Sequence, residues 1–163
     1  TWSFAISDAD AAQGLRDLAA PFTGDGEDPY AVHRAIQETM ERRAGIFRNA
    51  GDLAQGIEEI ARLKERAARV LAGGPAAFNP SWNLALDLPN LLVCAEATAR
   101  AALLRRESRG AHSRTDFPGE DPALGRVNFV SRRDASGAMA VAPVPAPEMP
   151  PEVKALFAPA PPK

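Results

Sequence analysis

The densest run of ionisable side chains lies between residues 105 and 118. It reads Arg105-Arg106-Glu107-Ser108-Arg109-Gly110-Ala111-His112-Ser113-Arg114-Thr115-Asp116-Phe117-Pro118. Arginine forks pair bidentately with carboxylates and phosphates, so this run suits a polar docking or anion-binding segment. It suits better still the C-terminal end of a helix, where cations complement the helix dipole and Gly110 supplies the stop. His112 has the residue type of an acid–base group. No nucleophile or second histidine lies near it in sequence, so a hydrogen-bonding structural role is expected. His33, beside Arg34, reads as a surface residue. Cys94 sits in the apolar run Leu91-Leu92-Val93-Cys94-Ala95, where a buried, inert thiol is expected. Histidines this far apart, with one cysteine, do not form a metal-ligand pattern. Gly24-Asp25-Gly26 lacks the strand-turn-helix setting of a dinucleotide-binding loop. No complete catalytic constellation is visible.

These residues sit on a chain of 163 residues and 17.3 kDa, which is about one domain and long enough to bury a core without a staple. Apolar residues make up 45% and charged residues 25%, while aromatics are only 6%. Alanine dominates the apolar set, which favours closely packed helices. A net charge of −2 excludes a generally basic nucleic-acid binder. A single cysteine excludes an internal disulfide and suits a reducing, cytoplasmic setting. No apolar run of about 18 residues is present, so no direct membrane insertion is expected. No segment reads as a signal peptide.

The elements that must position the charged run are mainly helical. In the lead-in, residues 1–27, Trp2, Phe4 and Ile6 alternate as in a short strand, and Asp8 can cap a helix reaching Ala20, stopped by Pro21. A three-helix antiparallel bundle is expected over 28–110. Asp28-Pro29 opens its first helix, with Val32, Ala35, Ile36, Thr39 and Met40 on one face and Gly45 at the end. Asp52 with Gln55 resembles a capping box opening the second. Its stripe is Leu53, Ile57, Ile60, Leu63, Ala67 and Val70, with Glu58–Arg62 and Glu65–Arg69 as surface pairs and Gly73-Gly74-Pro75 as terminator. The third runs from about Ser81 to Arg106. Pro89 either kinks it or divides off a short helix over 80–88. Residues 111–163 then give an irregular loop over 111–125, a small β-hairpin from Arg126–Arg133 and Ala138–Val144 around Asp134-Ala135-Ser136-Gly137, and an extended proline-rich tail with one helical turn near Glu152–Phe157. The fold class is therefore mainly all-α, with an appended hairpin.

The run Glu107 to Pro118 resembles the E-S-R-G-A-H-x-R-x-D-x-P signature of the succinate dehydrogenase/fumarate reductase flavoprotein family. Other landmarks are similar too: Asp28-Pro29-Tyr30 with Gln37-Glu38-Thr39-Met40, Gly45-Ile46-Phe47-Arg48 with Leu53, Asn79-Pro80-Ser81-Trp82, and Leu86-Asp87-Leu88-Pro89-Asn90. The likeness spans roughly residues 28 to 121, and the signature is its specific part. Two departures stand out. Leu124-Gly125-Arg126 occupies the region where the family usually carries a tryptophan, and Pro89 interrupts a helix the family tends to keep continuous.

The resemblance implies the C-terminal helical domain of a larger flavoprotein, with FAD in the parent protein and none in this chain. It implies as partners the flavin-binding and capping domains and an iron–sulfur subunit, and a peripheral place on the inner face of the membrane through the parent complex. Parent chemistry would be hydride transfer between succinate and flavin N5. This chain would supply no catalytic, cofactor-binding or metal-binding residue. The expected interdomain docking residues are Arg106, Glu107, Ser108, Arg109, His112, Arg114, Asp116 and Arg48, with Arg109 and Arg114 reaching groups on the neighbouring domain. L-aspartate oxidase and adenylylsulfate reductase share a related helical tail, so the equivalent domain of L-aspartate oxidase is an alternative. Another is a free-standing helical interaction module that binds an acidic partner through the arginine-rich turn.

Overall fold

The computed structural model describes residues 5–157. The elements in chain order are α1 (Asp8–Ala19), α2 (Pro29–Ala44), β1 (Phe47–Arg48), α3 (Ala50–Ala67), α4 (Pro80–Leu104), β2 (Ser113–Arg114), β3 (Val127–Arg133), β4 (Met139–Pro145) and α5 (Pro151–Lys154), with short 3-10 turns at Ala20–Phe22, Leu124–Arg126 and Ala155–Phe157. The mainly helical class with a small hairpin is as expected.

Each bundle helix starts where a side chain can satisfy its first free amides. The Asp28 carboxylate accepts from the Tyr30 amide at 3.1 Å, ahead of Pro29. Asn79 opens α4 by accepting from the Trp82 amide at 3.0 Å, and its Nδ2 donates to the Gly73 and Pro75 carbonyls. The capping box expected at Asp52 is displaced by three residues. Asn49 is the cap, and Asp52 is the residue whose amide donates to Asn49 at 2.9 Å. Likewise Ser7, not Asp8, caps α1, through a reciprocal exchange with Asp10. α1 ends at Ala19, just ahead of Pro21 as expected, and a 3-10 turn over Ala20–Phe22 follows it. Of the expected strand at Trp2, Phe4 and Ile6, residues 1–4 lie outside the described residues, and 5–7 form no strand.

Apolar stripes of α2, α3 and α4 meet in one core: Val32 and Ile36; Ile60, Leu63 and Ala67; Ala85, Leu88, Leu92, Ala95 and Ala99. A smaller cluster of Ala44, Leu53 and Ala102 continues it towards the C-terminal end of α4. Alanine at five of these α4 and α3 positions lets the helices approach closely. Gly56 serves the same end, since a Cβ there would lie 2.9 Å from Arg43 Cβ. The room it leaves admits Arg43, which bridges Asp52 at 2.7 Å and Glu59 at 3.0 Å and so bolts α2 to α3.

α3 ends at Ala67, earlier than the glycines at 73 and 74. The residues beyond it are held by the lead-in. The Gly26 amide donates to the Arg69 carbonyl at 2.7 Å, Leu71 donates to Glu27, and Ala72 donates to Pro21. Arg69 pairs with Asp25 and Arg66 with Glu27, in place of the Glu65–Arg69 surface pair. α4 is one helix of 25 residues that passes through Pro89 without dividing. Cys94 is exposed on it, so its thiol is not the buried one expected.

The hairpin pairs β3 with β4 antiparallel, Val127 opposite Pro145 and Arg133 opposite Met139. Its turn is held by Asp134, which accepts from the Ser136 and Ala138 amides, while Gly137 takes a φ of 86°. The 111–125 segment is not wholly irregular: its β2 pairs parallel with β1 from the α2–α3 connection, Phe47 opposite Ser113 and Arg48 opposite Arg114.

Candidate functional site

α4 ends with free carbonyls, and the arginine-rich run exists to meet them. Arg114 Nη1 donates to the carbonyls of Ala102 at 2.9 Å, Leu103 at 3.1 Å and Arg105 at 3.0 Å. Its other two nitrogens grip Asp116, each at 2.8 Å. The Phe117 ring lies against the guanidinium, 4.9 Å from its centroid. Arg114 is only 1% exposed, yet all its charge is answered inside the chain. Asp116 passes the connection on by accepting from the Ala50 amide, in the first turn of α3, at 2.9 Å. The Arg114 hydrogen bonds hold the Asp116 carboxyl well below the usual carboxylate range, against the opposing pull of burial.

A second knot forms around Glu107, which is fully buried. It accepts from Arg105, from Arg109 Nη2 at 3.1 Å and from the Asp121 amide at 2.8 Å. The Arg109 hydrogen bond is the largest influence on its carboxyl, which is lowered to about 2 although burial opposes this. Arg105 also donates to the Leu124 and Val127 carbonyls and stacks 4.8 Å over the Phe129 ring. It therefore fastens the end of α4 to the start of the hairpin. Arg109 reaches on to Glu120 at 3.3 Å. Between the knots, Ser108 Oγ accepts from the Arg114 amide at 2.8 Å and donates to the Phe117 carbonyl at 2.8 Å.

His112 links this region to β1. Its Nδ1 lies 2.8 Å from Arg48 Nη1 and its Nε2 lies 3.2 Å from the Arg105 carbonyl. The Arg48 guanidinium can only donate and the Arg105 carbonyl can only accept. The ring is therefore neutral, with Nε2–H donating and Nδ1 accepting. Burial above all, helped by the charges of Arg48, Arg114 and Arg105, pushes the imidazole below its usual range, against the hydrogen bond to the Arg105 carbonyl. The Ser113 amide donates to the Ile46 carbonyl and the Thr115 amide to the Arg48 carbonyl, which completes the latch.

The structure thus brings together Arg48, Glu107, Ser108, Arg109, His112, Arg114 and Asp116. Arg106 alone of the expected residues points away, exposed and outside both knots. Glu107 and Arg114 turn inward, so the reach of Arg114 to another domain is spent on α4 carbonyls. Sequence reasoning placed Arg105 in the charged run without a docking role, and did not single out the Ala50 amide or Phe129. The unmet carbonyls at the end of a 25-residue helix were the available signal for them. It also missed that Ile46 and Phe47 stand exposed beside the latch, Phe47 at 77%. A shallow cavity of about 330 Å3 opens there, lined by Arg48, Arg105, His112, Asn128 and Phe129.

Fold and site together define a helical domain knotted at one end by buried arginine–carboxylate pairs. Residues 33–155 match the family described as fumarate reductase flavoprotein C-term. The chain belongs to that family. It is 36% identical over 124 residues to the fumarate reductase flavoprotein subunit of Mycobacterium tuberculosis, covering 75% of this chain and 21% of the relative. It is 37% identical over 119 residues to the succinate dehydrogenase flavoprotein subunit of Coxiella burnetii, covering 72% and 20%. The chain spans about a fifth of the length of these curated relatives. Among solved structures, Mycobacterium smegmatis Sdh1 in complex with UQ1 superposes with a TM-score of 0.83 at 32% identity, covering 93% of this chain and 26% of that one. Adenylylsulfate reductase from Archaeoglobus fulgidus shares the fold, with a TM-score of 0.77 at 22% identity.

The flavin that such a family implies does not fit the glycine loop of this chain. A Cβ at Gly24 or Gly26 would strike the carbonyls of Val70 and Arg69, so these glycines serve to pack the loop against the residues after α3. No helix among the described residues is long and apolar enough to cross a membrane.

Proposed function

We propose that this chain braces a larger FAD-dependent succinate dehydrogenase/fumarate reductase flavoprotein, packing against the flavin-binding and capping domains without supplying a catalytic residue. The observation that carries the reading is the division of labour at the latch. Its buried charges are answered internally, while Ile46, Phe47 and Arg106 remain exposed beside it. An exposed aromatic next to a rigid, pre-formed polar shelf is the anatomy of an interface anchor. Arg48 and Arg109 sit at the rim, where they meet carboxylates or carbonyls of the neighbouring domain. The parent would carry the FAD, pass electrons to an iron–sulfur subunit, and lie in the cytoplasm, peripheral to the inner face of the membrane.

The test uses the full-length flavoprotein. Phe47→Asp combined with Arg106→Glu is expected to lower flavin retention and ease proteolytic separation of the domain. Turnover per bound flavin should stay unchanged. Wild-type flavin content and melting temperature in the double variant would overturn the bracing role. An endogenous protein of 17.3 kDa without a flavin spectrum would overturn the parent assignment and favour a free-standing interaction module.

A further inference from the structure

Away from the latch, the tip of the hairpin stands over the middle of α4 and leaves a cleft of about 390 Å3. Lys64 of α3, Arg100 of α4, and Arg132 and Arg133 of β3 line it. The one carboxylate in the lining, Glu96, is largely buried and already shared between Lys64 and Arg100, the latter at 2.6 Å. Arg132 and Arg133 are exposed and pair with no carboxylate among the described residues. The cleft therefore holds an excess of three positive charges in a chain whose net charge is −2. A concave surface of one sign focuses its field and draws in opposite charge.

The floor has a different character. Val93, Ala97 and Met139 form it, and Val93 is 49% exposed. Phosphate-binding sites converge several N–H donors on one point, and an apolar floor beside a carboxylate does not. The combination fits a chain that carries carboxylates on either side of an apolar side chain. We propose that this cleft captures a short acidic segment of a partner polypeptide, its carboxylates on Arg132, Arg133 and Lys64 and its apolar residue on Val93, Ala97 and Met139. The proposal is independent of the role assigned to the latch, whose residues lie at the opposite end of the hairpin.

Anisotropy of a fluorescent Glu-Asp-Leu-Glu-Asp peptide, titrated with the purified full-length protein at low salt, tests it. Saturable binding is expected, weakening roughly tenfold or more as salt rises about tenfold, because exposed pairs are screened. Arg132→Glu with Arg133→Glu should abolish it, and Arg126→Ala, outside the cleft, should not alter it. Val93→Glu, on the helix surface, should give the same loss and guards against a disturbed hairpin. A Gly in place of the peptide's Leu should weaken binding several-fold. Absent binding, equal affinity for the Gly peptide, equal binding by the variants, or displacement by inorganic phosphate at the peptide's own concentration would each overturn the proposal.

Discussion

Arg114 and Asp116, two residues apart, join the C-terminal end of one helix to the N-terminal end of another. The guanidinium takes three carbonyls of the α4 terminus, and the carboxylate takes the Ala50 amide of α3. The two helix ends carry partial charges of opposite sign, and the ion pair presents to each the charge that complements it. Removing Asp116 leaves the buried guanidinium without its match, and removing Arg114 strips three carbonyls of their donor.

Arg114→Met is therefore expected to destabilise the protein by about 3 kcal/mol or more, because three carbonyls lose their donor and each polar group left unsatisfied costs about 1–3 kcal/mol. Arg114→Lys should recover little, because an ammonium cannot serve three carbonyls and two carboxylate oxygens together. Urea unfolding of the variants measures both, and full rescue by lysine would show that charge alone matters here.

Glu107 sets an acid limit. Its carboxyl is held at about 2, below its ordinary 4.5, so the folded state favours the ionised form. The stability this brings is complete above about 4.5 and is lost as pH falls towards 2. Asp116 titrates in the same sense. Melting temperature should fall through this window, and the fall should be shallower in Glu107→Gln, which starts from a lower melting temperature.

His112 acts in a higher window. Its imidazole is pushed below 6.5, so the unfolded chain takes up a proton before the folded one does. Stability should thus decline as pH drops below about 6.5, until the folded ring also protonates. A protonated ring loses its acceptor for Arg48 and faces it as a like charge. His112→Gln should remove this slope, and melting curves between pH 7.5 and 5.5 resolve it.

Phe78 adopts a φ of 53° with its side chain fully exposed. A left-handed conformation costs a non-glycine residue about 1–2 kcal/mol, and no buried contact offsets it. Phe78→Gly should stabilise the fold by about 1 kcal/mol, seen as a rise in melting temperature. A loss would mean that the ring makes contacts in the assembled protein.

The bundle was legible because its signals are local. Helical spacing in Val32–Ile36, Ile60–Leu63–Ala67 and Leu88–Leu92–Ala95–Ala99 identified core faces directly, and Asp28-Pro29 marked a helix start. Caps were less legible, because Asn49, Asp52 and Ser7, Asp10 offer competing oxygens within one turn. Surface pairing misled at Arg69, where an i,i+4 partner lost to Asp25 in a loop 44 positions away. The latch was the least legible element. Nothing near Ser113 in sequence announces that its amide pairs with Ile46, and no periodicity marks a strand of two residues. The signature residues lie in the latch, but the direction they face, inward for Glu107 and Arg114, depends on where α4 ends.

The bond between Ala50 and Asp116 spans 66 positions, whereas the helices it joins are neighbours in sequence and in space. During synthesis the three bundle helices emerge before the arginine-rich run, so their core can form first and the latch closes over a finished surface. Contacts that form after the rate-limiting step govern the rate of escape more than the rate of arrival. The knots around Glu107 and Arg114 would then work as a time lock: they set how long the domain stays shut, and leave the speed of its assembly to the helices.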